Sequence, residues 1–501
     1  MSGDSERNLD PLLRQAARGY RTTIVTQIVR VVCKLVSVVV MARLVAPEGY
    51  GDFAMAAAVF WVLALFRDAG LGTATIQAKT LSPQQMNGLF WVQLGMGGLL
   101  MAATWGLAPL ADIWFKTDSV SALLQPMSFA FLIIGAGGFA RAQLYREMRL
   151  AEANRLESLS AVIGTGAMVG AGWAGANAYA FVVFLLVSEL VANALAWREI
   201  SWRPSVGWKN SGLKSLWRVG GHVTLNHLVT YLSTQLDAIL IGRWFGATAV
   251  GLYSRSTQLL TLPRQYIASP LSQIMLTTLA RLKDNADALS QHTSRAVTNI
   301  SHLVLPFYLV CIVLPVPTVK ILLGADWLAA APLLQILAIG RAMNTLTSMA
   351  ETVNIALDRS HRLVGAALMS LVATTVAIII GQRFGLSGIA WAVSLAQIMM
   401  IGPRLWWLLR DIPGSLRQYL RAIRGPLALS AITVVSLSAS ARLLENAPVG
   451  FILGGAILAA IGTGGIIYLV SRFIRREIMD TMKFVTGKWD PGSSKREGAS
   501  S

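Results

Sequence analysis

The chain has 501 residues, of which 54% are hydrophobic and only 14% charged, with 43 Lys plus Arg against 25 Asp plus Glu. Soluble domains carry about 25% charged residues, and no polar stretch here reaches the ~50 residues of a small folded domain, so a soluble enzyme is excluded. The basic excess of +18 lies beside apolar stretches, as the positive-inside rule produces, and does not mark a nucleic-acid partner.

A membrane-spanning helix needs about 20 mostly apolar residues. In chain order the apolar runs predict fourteen: 22–44, 51–75, 87–109, 119–141, 158–174, 177–197, 218–242, 249–275, 297–323, 331–356, 363–382, 386–409, 426–444 and 449–471. The expected fold is an all-α polytopic membrane protein of about 14 transmembrane helices, two six-helix bundles related by pseudo-two-fold symmetry plus two C-terminal helices. The corresponding organisation is a cytoplasmic N-terminal segment (1–21), a first six-helix bundle (22–200), a cytoplasmic linker (201–217), a second six-helix bundle (218–410), a cytoplasmic loop (411–425), two additional helices (426–471) and a cytoplasmic tail (472–501). Arg30 and Lys34 interrupt the first apolar stretch, which is therefore no cleavable signal peptide. Cys33 and Cys311 each stand alone inside an apolar run, as helix-packing residues do.

Loop charge orients the bundle. With the N-terminus inside, only Arg43, Lys116, Arg243, Lys320, Arg383 and Arg442 fall at outer helix ends, and most of the other basic residues fall on the cytoplasmic side. Both termini are therefore expected in the cytoplasm.

The chain also repeats itself. Arg43, Gly51 and Phe53 in ARLVAPEGYGDF recur as Arg243, Gly251 and Tyr253 in GRWFGATAVGLY, an offset of 200, and Leu123-Leu124-Gln125 recurs as Leu333-Leu334-Gln335, an offset of 210. Two halves with even numbers of spans share their orientation and are related by an axis along the membrane normal, an architecture of transporters. Arg43 and Arg243 sit at helix ends beside tight loops, where anchoring is the simpler role.

The stretches ARLVAPEGYGDFAMAA, FRDAGLGTATIQAKTLSPQQMNGLFW, REMRLAEANRLES, LDAILIGRWFGATAVGLYSRSTQLLTLP and WLAAAPLLQILA resemble bacterial lipid-linked polysaccharide flippases. These form the polysaccharide transporter branch of the multidrug, oligosaccharidyl-lipid and polysaccharide exporter superfamily, including colanic-acid, teichuronic-acid and exopolysaccharide exporters. The resemblance covers about residues 10 to 470. It implies a multi-pass protein of the bacterial cytoplasmic (inner) membrane that turns over undecaprenyl-pyrophosphate-linked repeat units by alternating access, serving exopolysaccharide, capsule or O-antigen assembly. Its partners would be that lipid-linked oligosaccharide, membrane lipids, and candidates such as a polysaccharide polymerase and co-polymerase. It brings no catalytic residue, no metal and no cofactor.

Charges within a span are costly and usually face protein or water. Thr23, Gln27, Arg30, Lys34 and Ser37 share one face of the first helix, and His227, Thr230, Thr234 and Asp237 lie on the matching face of the seventh. The two stripes are expected to face each other across a cavity, with internal pairing of Arg30 or Lys34 to Glu189 or Asp237 as the competing arrangement. Arg255, Arg264, Arg341 and Arg404 add to an embedded set in which cations outnumber Glu189, Asp237 and Glu351. A cationic interior suits a pyrophosphate, to which Arg offers a planar fork and Lys a mobile point charge. The candidate substrate-binding set is thus Arg30, Lys34, Arg264, Arg341, Arg255 and Gln27. Arg404 and Arg255 lie near span ends and have the alternative of snorkelling to water. Asp237, Glu189 and Glu351 are candidates for coupling to a proton or sodium gradient, or else permanent ion-pair partners.

Two further readings stand beside the flippase: a multidrug or cation antiporter, which would favour an acidic cavity, and a polysaccharide polymerase, which would need a sizeable outer loop. The lipid II flippase of peptidoglycan synthesis shares the superfamily but resembles the quoted motifs less. The topology is directly testable. Green fluorescent protein fused after Ser501 is expected to fluoresce and alkaline phosphatase fused there to be inactive, and the opposite pair of results would invert the orientation.

Overall fold

In the computed structural model the described residues are 26–67, 75, 81–205, 214–283, 285–410, 415–443 and 454. The N-terminal segment, the span expected over 449–471 and the tail lie outside them, as do Thr23 and the side chains of residues 214–230 and 232–234, His222, His227, Thr230 and Thr234 among them. The described residues are nearly all helical and contain no strand. Six of their helical stretches are long and apolar enough to cross a bilayer: Pro83–Phe115, Ser119–Arg146, Tyr179–Glu199, Asp287–Val313, His361–Leu409 and Leu416–Ala439. Large apolar side chains such as Leu99, Ile113, Val372, Met399 and Val435 point outward from these helices, as lipid-facing residues must. The chain is a multi-pass helical membrane protein.

The chain forms two compact units, residues 1–254 with 322–327 and residues 255–321 with 328–501. The first contains α1 (26–44), α2 (Pro47–Ala64), α3 (Pro83–Phe115), α4 (Ser119–Arg146), α5 (Leu150–Trp173), α6 (Tyr179–Glu199) and the first part of α7 (Lys214–Pro263). The last is two helices joined at Gly246, where φ 77° interrupts the helix between the stretches expected over 218–242 and 249–275. α2 stops at Ala64, short of the expected 75, whereas α3 and α4 outrun the stretches that announced them, 87–109 and 119–141, because apolarity marks the hydrocarbon and not the helix. The start of α3 is set instead by a reciprocal cap. Ser82 accepts from the Gln85 backbone at 3.2 Å, the Gln85 side chain accepts from the Ser82 backbone at 2.9 Å, and Pro83 occupies the first turn. Lys116, at φ 59°, ends the helix in the left-handed region.

Small residues let these helices approach closely, the usual currency of helix association in lipid. A Cβ on Gly97 would stand 2.5 Å from the Phe131 carbonyl oxygen, and one on Gly135 2.6 Å from that of Gln93, so α3 and α4 touch backbone to backbone. A second approach is reciprocal. A Cβ on Gly51 would overlap the Ala247 carbonyl, and one on Gly251 would overlap the Pro47 carbonyl. Gly51 and Gly251 are 200 residues apart, as are Pro47 and Ala247, so the repeat found in the sequence meets itself about a local two-fold axis. Nearby, Trp327 Nε1 donates to the Ala42 carbonyl at 2.7 Å and its ring meets Tyr50 edge-on.

The second unit continues α7 into a π-helical turn at Arg264–Ala268, then α8 (Ser269–Arg281), α9 (Ala286–Val313), α10 (Pro315–Leu322), a 3-10 turn Ala325–Ala330 shared with the first unit, α11 (Ala331–Thr345), α12 (Ser348–Ala356), α13 (Ser360–Gly381), α14 (Gly385–Met399), α15 (Ile401–Leu409) and α16 (Ser415–Leu443). Here α9 packs on α11 and α16, α14 on α11 and α13, and α12 on α8. Expected spans are interrupted in several places, 297–323 at Leu314 and 386–409 at Met400 among them, and two further interruptions shape the site. The stretch 249–275 carries the π turn because Pro263 and Pro270 lack the donors of a regular ladder. The stretch 331–356 divides at Leu346 and Thr347, where Thr345, Thr347 and Ser348 hydroxyls donate to the carbonyls of Arg341, Asn344 and Thr345 at 3.0, 2.8 and 2.8 Å. Ser and Thr bonds of this kind bend helices.

The reciprocal crossing makes a stability test. Gly51→Val or Gly251→Val is expected to lower the thermal stability of the purified protein by about 1–3 kcal/mol or more, as overpacking does. Gly98→Ala, where an added Cβ meets nothing within 4 Å, should change it by less than about 0.5 kcal/mol.

Candidate functional site

Each unit carries its own charged cluster. In the first, Arg30 on α1 pairs with Glu157 on α5 at 2.5 Å and donates to the Gln27 side chain at 3.0 Å. The Tyr145 hydroxyl, at the end of α4, donates to the other Glu157 oxygen at 2.5 Å. The same seam is fastened by Ser158 donating to the Thr26 carbonyl at 3.2 Å and by Ser37 against Met168. The polar face of α1 therefore lies along α5, in place of the expected open stripe, because a guanidinium in a span takes a carboxylate within reach. The partner of Arg30 is neither Glu189 nor Asp237. Glu189 on α6 pairs with Arg141 on α4 at 3.0 Å, and the Asp237 carboxylate folds back to accept from the Ala238 backbone at 2.8 Å. Lys34 is half-buried on the same helix as Arg30.

In the second unit the helix breaks build a pocket. Its cavity volume is about 40 Å³, and it is lined chiefly by Arg264, Tyr308, Arg341, Asn344, Ser348 and Glu351. The π turn presents Arg264, α11 presents Arg341 and Asn344, and α12, after its bend, turns Glu351 toward them. Glu351 bridges two arginines: Oε2 lies 3.7 Å from Arg264, and Oε1 makes a short, direct ion pair with Arg404 on α15. Arg404 also donates to the Asn344 side chain at 2.7 Å. The bend itself is pinned by Tyr419 on α16, whose hydroxyl donates to the Leu346 carbonyl at 2.7 Å, and Tyr308 on α9 donates to the Leu260 carbonyl at 3.0 Å.

Of the expected substrate-binding residues, Arg264 and Arg341 meet here, and Arg30 and Gln27 meet in the first unit. Arg255 is 2% exposed and donates to the Gln258 side chain at 2.7 Å, which excludes snorkelling. Arg404 does not snorkel either: its side chain is 12% exposed and held by Glu351 and Asn344. Sequence reasoning placed Arg404 at a span end and passed over Asn344, Tyr308 and Tyr145. Glu157 fell one residue outside a predicted span, although its spacing in the polar run from Arg149 to Ser158 suits a helical extension. Among the described residues no group of three or more His, Cys, Asp or Glu is arranged to hold a metal, and Cys33 and Cys311 are unbridged.

These features define a multi-pass helical membrane protein whose helices enclose ion-paired arginines. The chain belongs to the family described as polysaccharide biosynthesis protein, which it matches over residues 40–332. It is 22% identical to the lipopolysaccharide biosynthesis protein WzxC of Escherichia coli (strain K12), over 85% of this chain and 87% of that one. It is 23% identical to the succinoglycan biosynthesis transport protein ExoT of Rhizobium meliloti (strain 1021), over 89% and 91%. Among solved structures it shares the fold of the lipid II flippase MurJ in an inward closed conformation, with a TM-score of 0.70, 15% identity, and coverage of 90% of this chain and 99% of that one. The name of ExoT prints transport and that of MurJ flipping, while that of WzxC prints biosynthesis alone.

The Glu351 bridge is open to a double-mutant cycle. Arg404→Gln alone should cost about 1.5–3 kcal/mol of stability, the worth of a hydrogen bond to a charged group in a part-buried pair. Arg404→Gln with Glu351→Gln should recover most of that loss in thermal unfolding of the purified protein, and additive losses would mean the pair is not coupled.

Proposed function

We propose that this protein is a flippase that translocates undecaprenyl-pyrophosphate-linked oligosaccharide repeat units across the bacterial cytoplasmic membrane by alternating access, for exopolysaccharide, capsule or O-antigen synthesis. The observation that carries the reading is the second-unit pocket, lined by Arg264 and Arg341, whose single carboxylate, Glu351, is also ion-paired to Arg404 outside the lining. A hydrated diphosphate enters such an interior only where charge-assisted donors replace its water. Family membership and the relatives named for polysaccharide biosynthesis and transport support the same reading.

The topology proposed from loop charge adds direction. With both termini cytoplasmic, the stretches 249–275, 331–356 and 386–409 all descend toward the cytoplasm; Glu351 and Arg404 fall in their inner portions and Arg264 and Arg341 near the middle. The pocket then reaches from the middle toward the side where a lipid-linked saccharide is assembled and loaded. A cation exporter would want the opposite balance of charge. Coupling to a proton or sodium gradient through Asp237, Glu189 or Glu351, and handover to a polymerase and co-polymerase, belong to the same proposal.

The test uses a deletion strain complemented with wild type or with Arg264→Gln plus Arg341→Gln. Each hydrogen bond to a charged group is worth about 1.5–3 kcal/mol, so the double variant should lower surface polysaccharide on the order of a hundredfold and trap lipid-linked saccharide in the cytoplasmic leaflet. Full surface polysaccharide from the double variant, with no trapped intermediate, would remove the pocket from the transport path.

A further inference from the structure

The two ion pairs of Glu351 are unequal. The Arg404 pair is direct, and Arg404 is further fixed by Asn344 and 12% exposed. The Arg264 contact spans 3.7 Å, beyond hydrogen-bond range, and Arg264 is 53% exposed on the π turn. Arg341 lines the same pocket and makes no ion pair among the described residues. One carboxylate is thus anchored by one arginine while loosely occupying a second, beside a third.

We infer that Glu351 is a resident counter-anion: it competes with the diphosphate of the passenger for Arg264 and keeps the pocket's hold on that group reversible. The inference rests on the flippase reading and adds to it the charge class of the ligand. Three guanidinium groups against one carboxylate leave an excess of two positive charges, and a diphosphate esterified at both ends carries two negative charges near neutral pH. On entry, Arg264 turns from Glu351 to the passenger and exchanges a long contact for charge-assisted hydrogen bonds. Arg404 keeps Glu351 in place, and the retained carboxylate repels the bound anion. A translocating site needs this balance, since binding must be strong enough to load and weak enough to release.

The experiment measures binding of two synthetic probes, P1-farnesyl P2-glucosyl diphosphate and farnesyl glucosyl monophosphate, to full-length protein in lipid nanodiscs. Coulomb energy scales with ligand charge. Glu351→Gln should therefore tighten diphosphodiester binding by about tenfold and monophosphodiester binding by about threefold, while surface polysaccharide falls because release slows. Ser348→Asp, which adds a carboxylate to the pocket lining and leaves the Arg404–Glu351 pair intact, should weaken diphosphodiester binding by about tenfold. It tests the idea even if Glu351→Gln fails to fold. Unchanged or weaker binding by Glu351→Gln, or no effect of Ser348→Asp, overturns the counter-anion inference while a loss of binding in Arg264→Gln leaves the cationic pocket standing. Equal binding of the diphosphodiester by wild type and Arg264→Gln removes the pocket's role and the inference with it.

Discussion

A guanidinium enclosed by membrane helices has few ways to keep its charge: water, a carboxylate or a fence of polar oxygens must come to it. The interiors of both units are arranged around that requirement. Arg30 draws Glu157 and Gln27 to one seam, Arg141 draws Glu189 to another, and Arg404 draws Glu351 and Asn344 to a third. Each pair ties together helices that have little hydrophobic reason to associate, since lipid is as apolar as their side chains. The difference between units lies in the count. In the first, the Arg30 and Arg141 pairs are one to one, while in the second a single carboxylate serves two arginines and a third stands beside it, which leaves net positive charge beside an open pocket.

The pocket exists because two helices fail to run straight. The π turn at Arg264–Ala268 and the break after Thr345 each divert a side chain that a regular helix would have aimed elsewhere. The causes are local: prolines that lack donors in one case, and consecutive hydroxyls drawn to backbone carbonyls in the other. Irregular backbone is tolerated at membrane depth where protein or water surrounds it, and here Tyr419 supplies the protein by donating to the Leu346 carbonyl. Fold and chemistry are therefore the same problem in this region, since the residues that bend α11 away from α12 also decide which charges meet.

Much of this was legible in the chain. Hydropathy located the six long apolar helical stretches among the described residues, the embedded charges named Arg264, Arg341 and Glu351, and the repeat at an offset of 200 pointed to the residues that later prove to interlock. Helix limits were less legible, because caps such as Ser82 with Gln85 and reversals such as Lys116 act outside the hydrocarbon. That is why Glu157 looked like a loop residue. Pairing was hidden for another reason: partner choice depends on which helices become neighbours, so Arg30 could be assigned a carboxylate but not the right one. Arg404, read as a residue reaching for the surface, is turned inward by Asn344 and Glu351, two residues on different helices that periodicity does not connect.

The crossing of Gly51 at Ala247 and Gly251 at Pro47 has the geometry of an isologous interface, in which each patch meets its own copy. Two separate chains carrying only one of these segments, lying side by side in the same orientation, would make the same contact twice. Joining the copies in one polypeptide removes the concentration dependence of such a dimer and fixes the stoichiometry. It also frees each copy to change alone, as Phe53 and Tyr253 have, everywhere except at the glycines. There, bulk added to one segment is felt directly by the backbone of the other.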